Sequence, residues 1–420
     1  MAKNQADFFK DKKPWSQVKD DLLACYLVPY FQKIVFTGKP VRYIDCFAGR
    51  GDFDDGKQGS PLIALDAARR SMSQSEYARK IDIRLTFIET LFSAQLEKTA
   101  STHEQNHSTR IPFQVIPGRF EDETPALVTK MTACNLFLYI DPYNIRNLNH
   151  ELITSFAALD LNTIELLMNF NSFGFIRAAC QALKVRYDDD GTLNDIDTDL
   201  GDEIDIDTAD GNMLSDRLTS IAGGDYWQET ICAYRRKDID GHEAERQFSE
   251  NYRNKLNETF RFVVSMPIRL APHHQPKYRM IYATNHAKAC SMMADNMRSR
   301  ADNLYHYLPG HSQGSLFDEG LEGDIVDQSV ITERMRALTS SIQDFTDIDE
   351  VKAKFYTREG VLCKTGVLNQ AFRTLEQTGW LEFRRTPEHT ANGQVSTRYT
   401  TDTEHQVWLR ATSTRRPNRP

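Results

Sequence analysis

The segment that follows the first predicted strand contains an acidic residue and two closely spaced glycines. Asp45 ends the strand, and Phe47, Ala48, Gly49 and Gly51 form a turn of the type Phe-Ala-Gly-x-Gly. Because glycine lacks a Cβ, the backbone can turn tightly here and can lie directly against a ligand. The pattern predicts a ligand-binding turn, and the alternative is a turn that only connects a strand to a helix.

Two further positions follow the second and third predicted strands. Glu89 comes directly after the strand from Ile81 to Ile88, where a carboxylate can accept hydrogen bonds from both ribose hydroxyls of an adenosine-type cofactor. Farther along, the Phe120 ring can pack on an adenine, and Glu121 or Asp122 can accept from the adenine amino group. The alternative for Glu89 is a charge that stabilises the start of a helix. The alternative for the other three is that they are ordinary loop residues.

The most apolar predicted strand, Asn135–Ile140, is followed by Asp141, Pro142 and Tyr143. This segment resembles the Asp/Asn-Pro-Pro-Tyr signature of amino-group methyltransferases, with one proline fewer. The resemblance implies that the carboxylate accepts a hydrogen bond from the target amine and aligns its lone pair on the methyl group. It also implies that the aromatic ring stacks on a flipped base. The missing proline departs from the signature, and the target atom stays open.

Four more polar residues are candidates for the same site. Asn169 and Asn171 follow the next predicted strand and are predicted to form the far wall of the substrate pocket. Lys19, in the first helix, is predicted to meet the carboxylate of the cofactor. A plain structural role is the alternative for these three. Ser60 precedes a proline at the start of the second helix, where it is a predicted N-cap and a candidate cofactor contact.

The elements that must position these residues alternate between strands and helices over most of the chain. This alternation predicts an α/β fold with a Rossmann-like, doubly wound parallel sheet. Near-continuous apolar runs predict that the strands at 135–140 and 163–170 are buried on both faces. The domain is predicted to span residues 1–307, with an acidic insertion at about 187–212.

A smaller unit is predicted after a linker at 308–329. Its predicted helices precede two strands, Trp380–Arg385 and Val395–Thr400, around a polar turn. This order predicts a winged-helix domain at 330–405 and a basic tail at 406–420.

Basic side chains of this unit are candidate contacts to nucleic-acid phosphates. They are Lys364 and Arg373, with Arg384 and Arg385 beside them. A dimerisation or protein-contact module is the alternative.

The charge of the chain is unevenly distributed. The net charge is −8, but residues 188–210 contain eleven Asp and Glu and no Lys or Arg. Because the remainder is slightly positive, the net charge does not exclude a nucleic-acid partner. Asp195, Asp197 and Asp199 have the two-residue spacing of the first ligands in a calcium-binding loop. However, Gly201 lies one residue later than the glycine of that loop, and Ile206 occupies the position of its last ligand, a Glu. A solvated acidic loop is predicted, and no metal site.

The seven cysteines are scattered and include no CxxC pair. This argues against a disulfide framework or a structural zinc site and favours a reducing cytoplasm. No stretch reaches the roughly 20 apolar residues of a membrane span, so no membrane partner is predicted. The N-terminal segment lacks the apolar core of a secretion signal.

Several of these segments together resemble the three-Cys-motif partner proteins (TcmP). The resemblance is carried by Trp15, Lys19, the segments 43–51 (YIDCFAGRG), 59–61 (GSP), 140–143 (IDPY), 165–170 and 214–218 (LSDRL), and Trp227. It covers most of residues 8–300 and extends to the winged helix. It implies a methyltransferase-like fold of bacteria or phage that works with a radical-SAM-type partner bearing the three cysteines. Separately, Gln313–Phe317 (QGSLF) resembles the bacterial sliding-clamp-binding peptide, although a chance match is the favoured interpretation.

Three functional hypotheses follow. The first is a methyltransferase that uses S-adenosyl-L-methionine (SAM) to modify an amino group, on DNA or RNA. The second is a non-catalytic partner that uses the same fold to bind nucleic acid or protein for the radical-SAM protein. The third, a nicotinamide-dependent enzyme, is disfavoured because Gly49 and Gly51 are followed by Asp54 rather than by the last glycine of Gly-x-Gly-x-x-Gly.

Overall fold

The computed structural model describes residues 9–10, 12–74, 76–187, 211–269, 275–301 and 326–412. The predicted acidic loop at 188–210, most of the predicted linker with its clamp-type peptide, and the last eight residues of the chain lie outside the described residues. The described residues form two compact units, one up to Asn285 and one from His286 onward. None of their helices is long and apolar enough to cross a membrane.

The first unit is a mixed α/β domain. Its elements, in chain order, are α1 (Pro14–Ile34), β1 (Val41–Asp45), α2 (Ser60–Gln74), β2 (Ile83–Glu89), α3 (Ser93–Gln105), β3 (Phe113–Pro117), α4 (Phe120–Val128), β4 (Asn135–Ile140), α5 (His150–Ser155), β5 (Thr163–Phe170), α6 (Ser172–Ala182), α7 (Gly211–Ala222), α8 (Trp227–Arg236), α9 (Gly241–Asn257), β6 (Phe262–Ile268) and β7 (Tyr278–Thr284). Short 3-10 helices lie at Val35–Thr37, Ala78–Lys80, Ile145–Asn147 and Phe156–Ala158.

The seven strands form one sheet in the order β3-β2-β1-β4-β5-β7-β6. The first five strands are parallel, and β7 runs antiparallel to both β5 and β6. Strand order reverses between β1 and β4, which lie side by side with Asp45 opposite Tyr139. In open α/β sheets a ligand binds in the crevice at the carboxyl ends of the strands at such a reversal.

The central strands owe their position to their composition. Every residue of β4 and β5 is buried, as their apolar runs predicted, because helices cover both faces of the sheet. In contrast, β3 at the edge keeps two exposed residues. The predicted doubly wound sheet is therefore confirmed as a large, mostly parallel sheet, with an antiparallel pair at one side.

One start of a helix differs from the prediction. Phe120 was expected in a loop, with a helix only from Thr124, but α4 already begins at Phe120. Three acidic residues occupy its first turn, where their charge stabilises the unpaired N–H groups of the helix terminus. The early start brings Phe120 to the end of β3.

The second unit contains helices and a three-stranded sheet. Its elements are α10 (Ala287–Ala301), α11 (Gln328–Thr339), β8 (Thr346–Asp347), α12 (Ile348–Glu359), α13 (Thr365–Gln377), β9 (Leu381–Thr386) and β10 (Gln406–Ala411), with sheet order β8-β10-β9. The strand expected at 395–400 is absent from the described residues, and β10 pairs with β9 instead. Residues 406–411, predicted as part of a tail, form this strand because Val407 and Leu409 alternate into the core.

The boundary between the units also differs from the predicted one at residue 307. Helix α10 belongs to the second unit. Its Asp295 Oδ1 accepts hydrogen bonds from the Thr365 N–H at 2.6 Å and from the Thr365 hydroxyl at 2.8 Å, at the start of α13. Its Arg298 donates to the Leu362 carbonyl at 3.3 Å. The second unit therefore begins at His286.

Candidate active site

A cavity of about 550 Å³ lies in the first unit. It opens at the carboxyl ends of β1, β2, β4 and β5, where the strand order reverses. Among its lining residues are thirteen that the sequence singled out, namely Lys19, Phe47, Ala48, Gly49, Gly51, Ser60, Glu89, Phe120, Glu121, Asp141, Pro142, Tyr143 and Asn169. The fold thus brings together residues from seven separate segments of the chain.

The turn after β1 requires glycine at two positions. Gly49 and Gly51 have φ values of 63° and 93°, in the left-handed region that side-chain-bearing residues avoid. A Cβ on Gly49 would lie 3.2 Å from the Phe9 ring, and a Cβ on Gly51 would lie 2.9 Å from the Leu96 side chain. The backbone of this turn can therefore approach a ligand closely on its cavity side.

Glu89 holds the turn in place from the end of β2. Its Oε2 accepts a hydrogen bond from the Gly49 N–H at 2.8 Å. Its Oε1 accepts from the N–H groups of Leu91 at 2.8 Å and Phe92 at 3.2 Å. A carboxylate can accept about four hydrogen bonds, so these three leave little capacity. Glu89 also lines the cavity, and its contact with two ribose hydroxyls stays a prediction.

Asp141 is the centre of a polar cluster at the end of β4. Both of its carboxylate oxygens lie 2.9 Å from the Lys19 ammonium nitrogen. Asn169, from β5, donates to Oδ1 at 2.8 Å, and the Tyr139 hydroxyl donates to Oδ2 at 3.2 Å. Lys19 was predicted to meet the carboxylate of a cofactor. In the structure its ammonium pairs with Asp141, and both residues line the cavity.

One polar atom of this cluster lacks a protein partner. The Asn169 carbonyl oxygen, Oδ1, is buried and has no hydrogen-bond partner among the described residues. A buried acceptor without a partner is unusual in a folded protein. A ligand that presents an N–H group to Asn169 would satisfy it, and the cavity gives access because Asn169 lines it.

Two further buried carboxylates belong to the site, Asp20 in the wall of the cavity and Asp45 behind it. Burial raises the pKa of Asp20 to about 6, although Lys12, whose ammonium is 2.5 Å away, opposes this shift. Burial likewise raises the pKa of Asp45 to about 7, against the lowering by the Ser60 hydroxyl and the Phe47 N–H. Asp45 is fully buried and does not line the cavity. Its Oδ1 accepts a hydrogen bond from the Phe47 N–H at 3.2 Å, which stabilises the conformation of the glycine turn.

An aromatic wall of the cavity was not predicted. Phe9 lies against Phe53 and Phe92, with ring centroids 5.7 and 5.3 Å apart, and all three line the cavity. The Phe9 carbonyl accepts from the Asp54 N–H at 2.8 Å, which fixes the N-terminal segment on the loop after β1. No motif contains Phe9, so only the tertiary structure identifies it. Tyr278, at the start of β7, also lines the cavity and was not singled out.

Phe120 forms part of the apolar wall on the other side. Its ring packs on Phe47 at 5.3 Å between centroids and on Phe156 at 6.3 Å. Only 1% of its surface is exposed, so it offers the cavity one edge of a core side chain. Glu121, which was predicted to accept from an adenine, pairs with Arg119 at 2.5 Å.

Three predicted substrate contacts do not line the cavity. Asn171 caps the start of α6, where its side chain accepts from the Gly174 N–H at 2.7 Å, which is the structural alternative named above. Lys364 is the N-cap residue of α13 in the second unit. Arg373 is exposed on the same helix and contacts Gln370 at 3.3 Å.

No protein-family model matches the chain, and no curated protein matches it. Several solved structures are similar to parts of it. A conserved hypothetical protein of Streptococcus pyogenes shares 14% identity over 32% of this chain and 69% of its own, with a TM-score of 0.21. The plantazolicin methyltransferase BpumL in complex with SAH shares 11% identity over 68% of this chain and 89% of its own, with a TM-score of 0.27. The plantazolicin methyltransferase BamL, with a triazolic desmethylPZN analog and SAH, shares 8% identity over 63% and 86%, with a TM-score of 0.26. Because these TM-scores are low, the function is inferred from the residues of the site.

Proposed function

We propose that this chain is a SAM-dependent methyltransferase that acts on an amino group. One observation carries the proposal: the glycine turn after β1 and the Asp141 cluster after β4 open into a single cavity of about 550 Å³. They meet where the strand order reverses, which is the place where open α/β sheets bind their ligands.

The cavity suits a cofactor of this kind. Its volume falls within the roughly 300–1,000 Å³ of small-molecule sites. Backbone without Cβ atoms at Gly49 and Gly51 would hold one part of the ligand, with Ser60 and Glu89 beside it. Phe47 and the Phe9 wall would contact its apolar parts. When bound, SAM supplies an electrophilic methyl group.

The residues after β4 and β5 would position the acceptor amine. The Asn169 Oδ1 accepts one N–H of the amine, and an oxygen of Asp141 accepts the other. These contacts fix the direction of the nitrogen lone pair, and such positioning accounts for much of the rate in a reaction that needs little acid–base catalysis. Lys19 fixes the position of the Asp141 carboxylate. Tyr143 and Pro142 would cover the group that carries the amine.

Nucleic acid is the substrate class that we propose, because the second unit presents cationic and aromatic side chains together. The guanidinium groups of Arg384 and Arg410 lie 4.3 and 4.5 Å from the centroid of Phe345. Lys364 and Arg373 on α13 add positive charge, which suits phosphates. The order of helices and strands supports a winged helix. Arg385 is a poorer candidate, since it donates two hydrogen bonds to Glu376, at 2.9 and 2.8 Å.

The partners that we propose follow from resemblances alone. The family resemblance implies a radical-SAM-type protein with three cysteines, and the separate peptide resemblance of residues 313–317 implies a sliding clamp. The proposed compartment is the cytoplasm, where all seven cysteines would stay as the free thiols found here.

Calorimetric titration with SAM and with S-adenosylhomocysteine tests the cofactor site. Gly49→Ala places a Cβ against Phe9 and is expected to weaken binding at least tenfold. Gly56→Ala is the matched control: Gly56 has a φ of 81°, its Cβ would meet nothing within 4 Å, and it does not line the cavity. Equal affinity in the two variants, or no binding by the folded wild type, would contradict the proposal.

A second candidate is a non-catalytic, cofactor-binding partner protein. It is favoured by the fact that both carboxylate oxygens of Asp141 already have partners in Lys19, Asn169 and Tyr139. Transfer of a labelled methyl group to DNA or RNA oligonucleotides, with and without a radical-SAM partner, separates the two functions. Binding of SAM without any transfer would favour this second function.

A further inference from the structure

One carboxylate and two imidazoles form a cluster apart from the cavity. Asp66 lies on α2, His103 on the last turn of α3, and His107 just beyond that helix. Their candidate ligand atoms all lie within 4.8 Å of one another, and Asp66 Oδ1 is 2.8 Å from His103 Nε2. The two imidazole rings meet at 60° with centroids 5.0 Å apart. None of the three residues lines the cavity.

The surroundings of the cluster hold the carboxylate in place. Gln58 donates to Asp66 Oδ2 at 2.9 Å. Arg69 contacts Asp66 Oδ1, but it also pairs with the buried Glu104 and donates to the Thr109 carbonyl at 3.1 Å. Arg69 therefore keeps two partners if Asp66 Oδ1 turns to another ligand. The carboxylates of Asp66 and Glu104 outnumber the one guanidinium of Arg69, so the local charge favours a cation.

We propose that Asp66, His103 and His107 bind one divalent transition-metal ion of the zinc class. Two imidazole nitrogens and one carboxylate oxygen suit zinc, cobalt or nickel, whereas magnesium and calcium prefer oxygen ligands alone. Ligand atoms around a tetrahedral zinc lie roughly 3.3 Å apart, so the observed separations need only small side-chain rotations. A water would complete the coordination.

A hydrogen bond between Asp66 and His103 alone does not account for the second histidine. His107 lies two residues beyond the end of α3, and its ring nevertheless meets that of His103 with centroids 5.0 Å apart. The bound ion would join the end of α3 to α2, whose first residue, Ser60, lines the cavity. This site departs from the sequence analysis, which predicted no metal, and it does not depend on the proposed methyl transfer.

The test uses the full chain without an affinity tag, stripped of metal with a chelator. It is titrated with Co²⁺, followed by visible absorption, and with Zn²⁺, followed by calorimetry. The expected result is one equivalent bound, with weak d–d bands and no thiolate charge-transfer band. His103→Ala and His107→Ala are each expected to weaken binding at least tenfold.

His405→Ala is the matched control. His405 Nδ1 lies 2.8 Å from Asp402 Oδ1, so it forms the same kind of Asp–His pair, but no second histidine joins it in a candidate cluster of the described residues. This variant is expected to bind metal as the wild type does. The unfolding temperatures of the metal-free proteins show whether each variant is folded. If His103→Ala does not fold, the test depends on His107→Ala, which leaves the Asp66–His103 contact intact.

Three outcomes would overturn the proposal. The first is the absence of stoichiometric binding by the wild type. The second is unchanged affinity in His107→Ala. The third is a thiolate charge-transfer band, which would identify cysteines as the ligands.

Discussion

Asp141 and Lys19 stabilise each other in a mostly buried ion pair, with 19% and 9% of their side chains exposed. Asp141→Ala leaves the ammonium of Lys19 without a counter-charge in the protein interior. Breaking such a pair costs roughly 3 kcal/mol. We therefore expect Asp141→Ala to lower the free energy of unfolding by about that amount and to abolish methyl transfer, because no side-chain oxygen is left to accept from the amine. Urea unfolding and transfer of a labelled methyl group measure the two effects.

The double variant Lys19→Met/Asp141→Ala separates the two effects. It removes both charges, so the free energy of unfolding should recover most of the loss. Methyl transfer should stay absent, because the acceptor carboxylate is still missing. Full transfer by the double variant would mean that Asp141 acts only through the fold.

At the residue scale, the sequence predicted which side chains line the cavity better than it predicted their partners. Glycines and an acidic residue after a strand follow from local geometry. Gly49, Gly51 and Asp141, which the sequence assigned to one site, line one cavity, and the binding of a cofactor there stays a prediction. The pairing of Lys19 with Asp141 joins positions 122 apart in the chain, and no local pattern encodes it. Phe9 was missed for the same reason.

At the element scale, three buried side chains fasten α1 to the sheet. The hydroxyls of Tyr26 and Tyr282 donate to Glu165 Oε2 at 2.5 and 2.6 Å. Burial raises the pKa of Glu165 from 4.5 to about 7, and the two hydroxyls only partly oppose this. The helix is therefore held to β5 and β7 by a carboxyl group that stays protonated over much of the acidic range.

This network predicts a pH dependence of stability. Between pH 4.5 and about 7 the folded protein retains a proton on Glu165 that the unfolded chain has released. Stability therefore falls as pH rises through this window, by roughly 3 kcal/mol for this group. Glu165→Gln cannot ionise, so we expect its free energy of unfolding to fall less than that of the wild type between pH 5 and pH 8. Urea unfolding across this range measures the difference.

Glu245→Gln provides the opposite case. Glu245 is also buried, but Arg279 contacts it at 2.8 and 2.7 Å and lowers its pKa despite the burial. Its stabilising contribution is present above pH 4.5 and is lost only in more acidic solution. Glu245→Gln should therefore destabilise the protein at pH 7.

For Glu165, the contradicting outcome is a free energy of unfolding that falls more steeply with pH in Glu165→Gln than in the wild type. The raised pKa of Glu165 would then not be the cause of the pH dependence.

The elements themselves were predictable where the apolar pattern was strong. Strands β4 and β5 end where their apolar runs end, at Ile140 and Phe170. In contrast, β10 was assigned to the tail because polar residues precede it. Its true place depends on backbone hydrogen bonds with β9, from Gln406 opposite Thr386 to Ala411 opposite Leu381, which a single sequence does not reveal.

At the scale of the whole molecule, the point where one unit ends is the property that the sequence predicted least well. Helix α10 follows β7 without a break that composition could signal, so it was assigned to the first domain. The packing of α10 on α12 in the second unit corrects this. Four of its side chains, Cys290, Met293, Ala294 and Met297, are fully buried.

This boundary predicts how the chain can be divided. A fragment that spans residues 286–412 should fold cooperatively, whereas a fragment that spans 326–412 lacks α10 and should lose several kcal/mol, since each large buried side chain contributes about 1.5–3 kcal/mol. It also loses the Asp295 carboxylate that caps α13 through Thr365. Circular dichroism during thermal unfolding compares the two fragments. Asp295→Ala in the longer fragment isolates the cap, which should account for only about 1 kcal/mol. Equal unfolding temperatures for both fragments would mean that α10 does not stabilise the second unit.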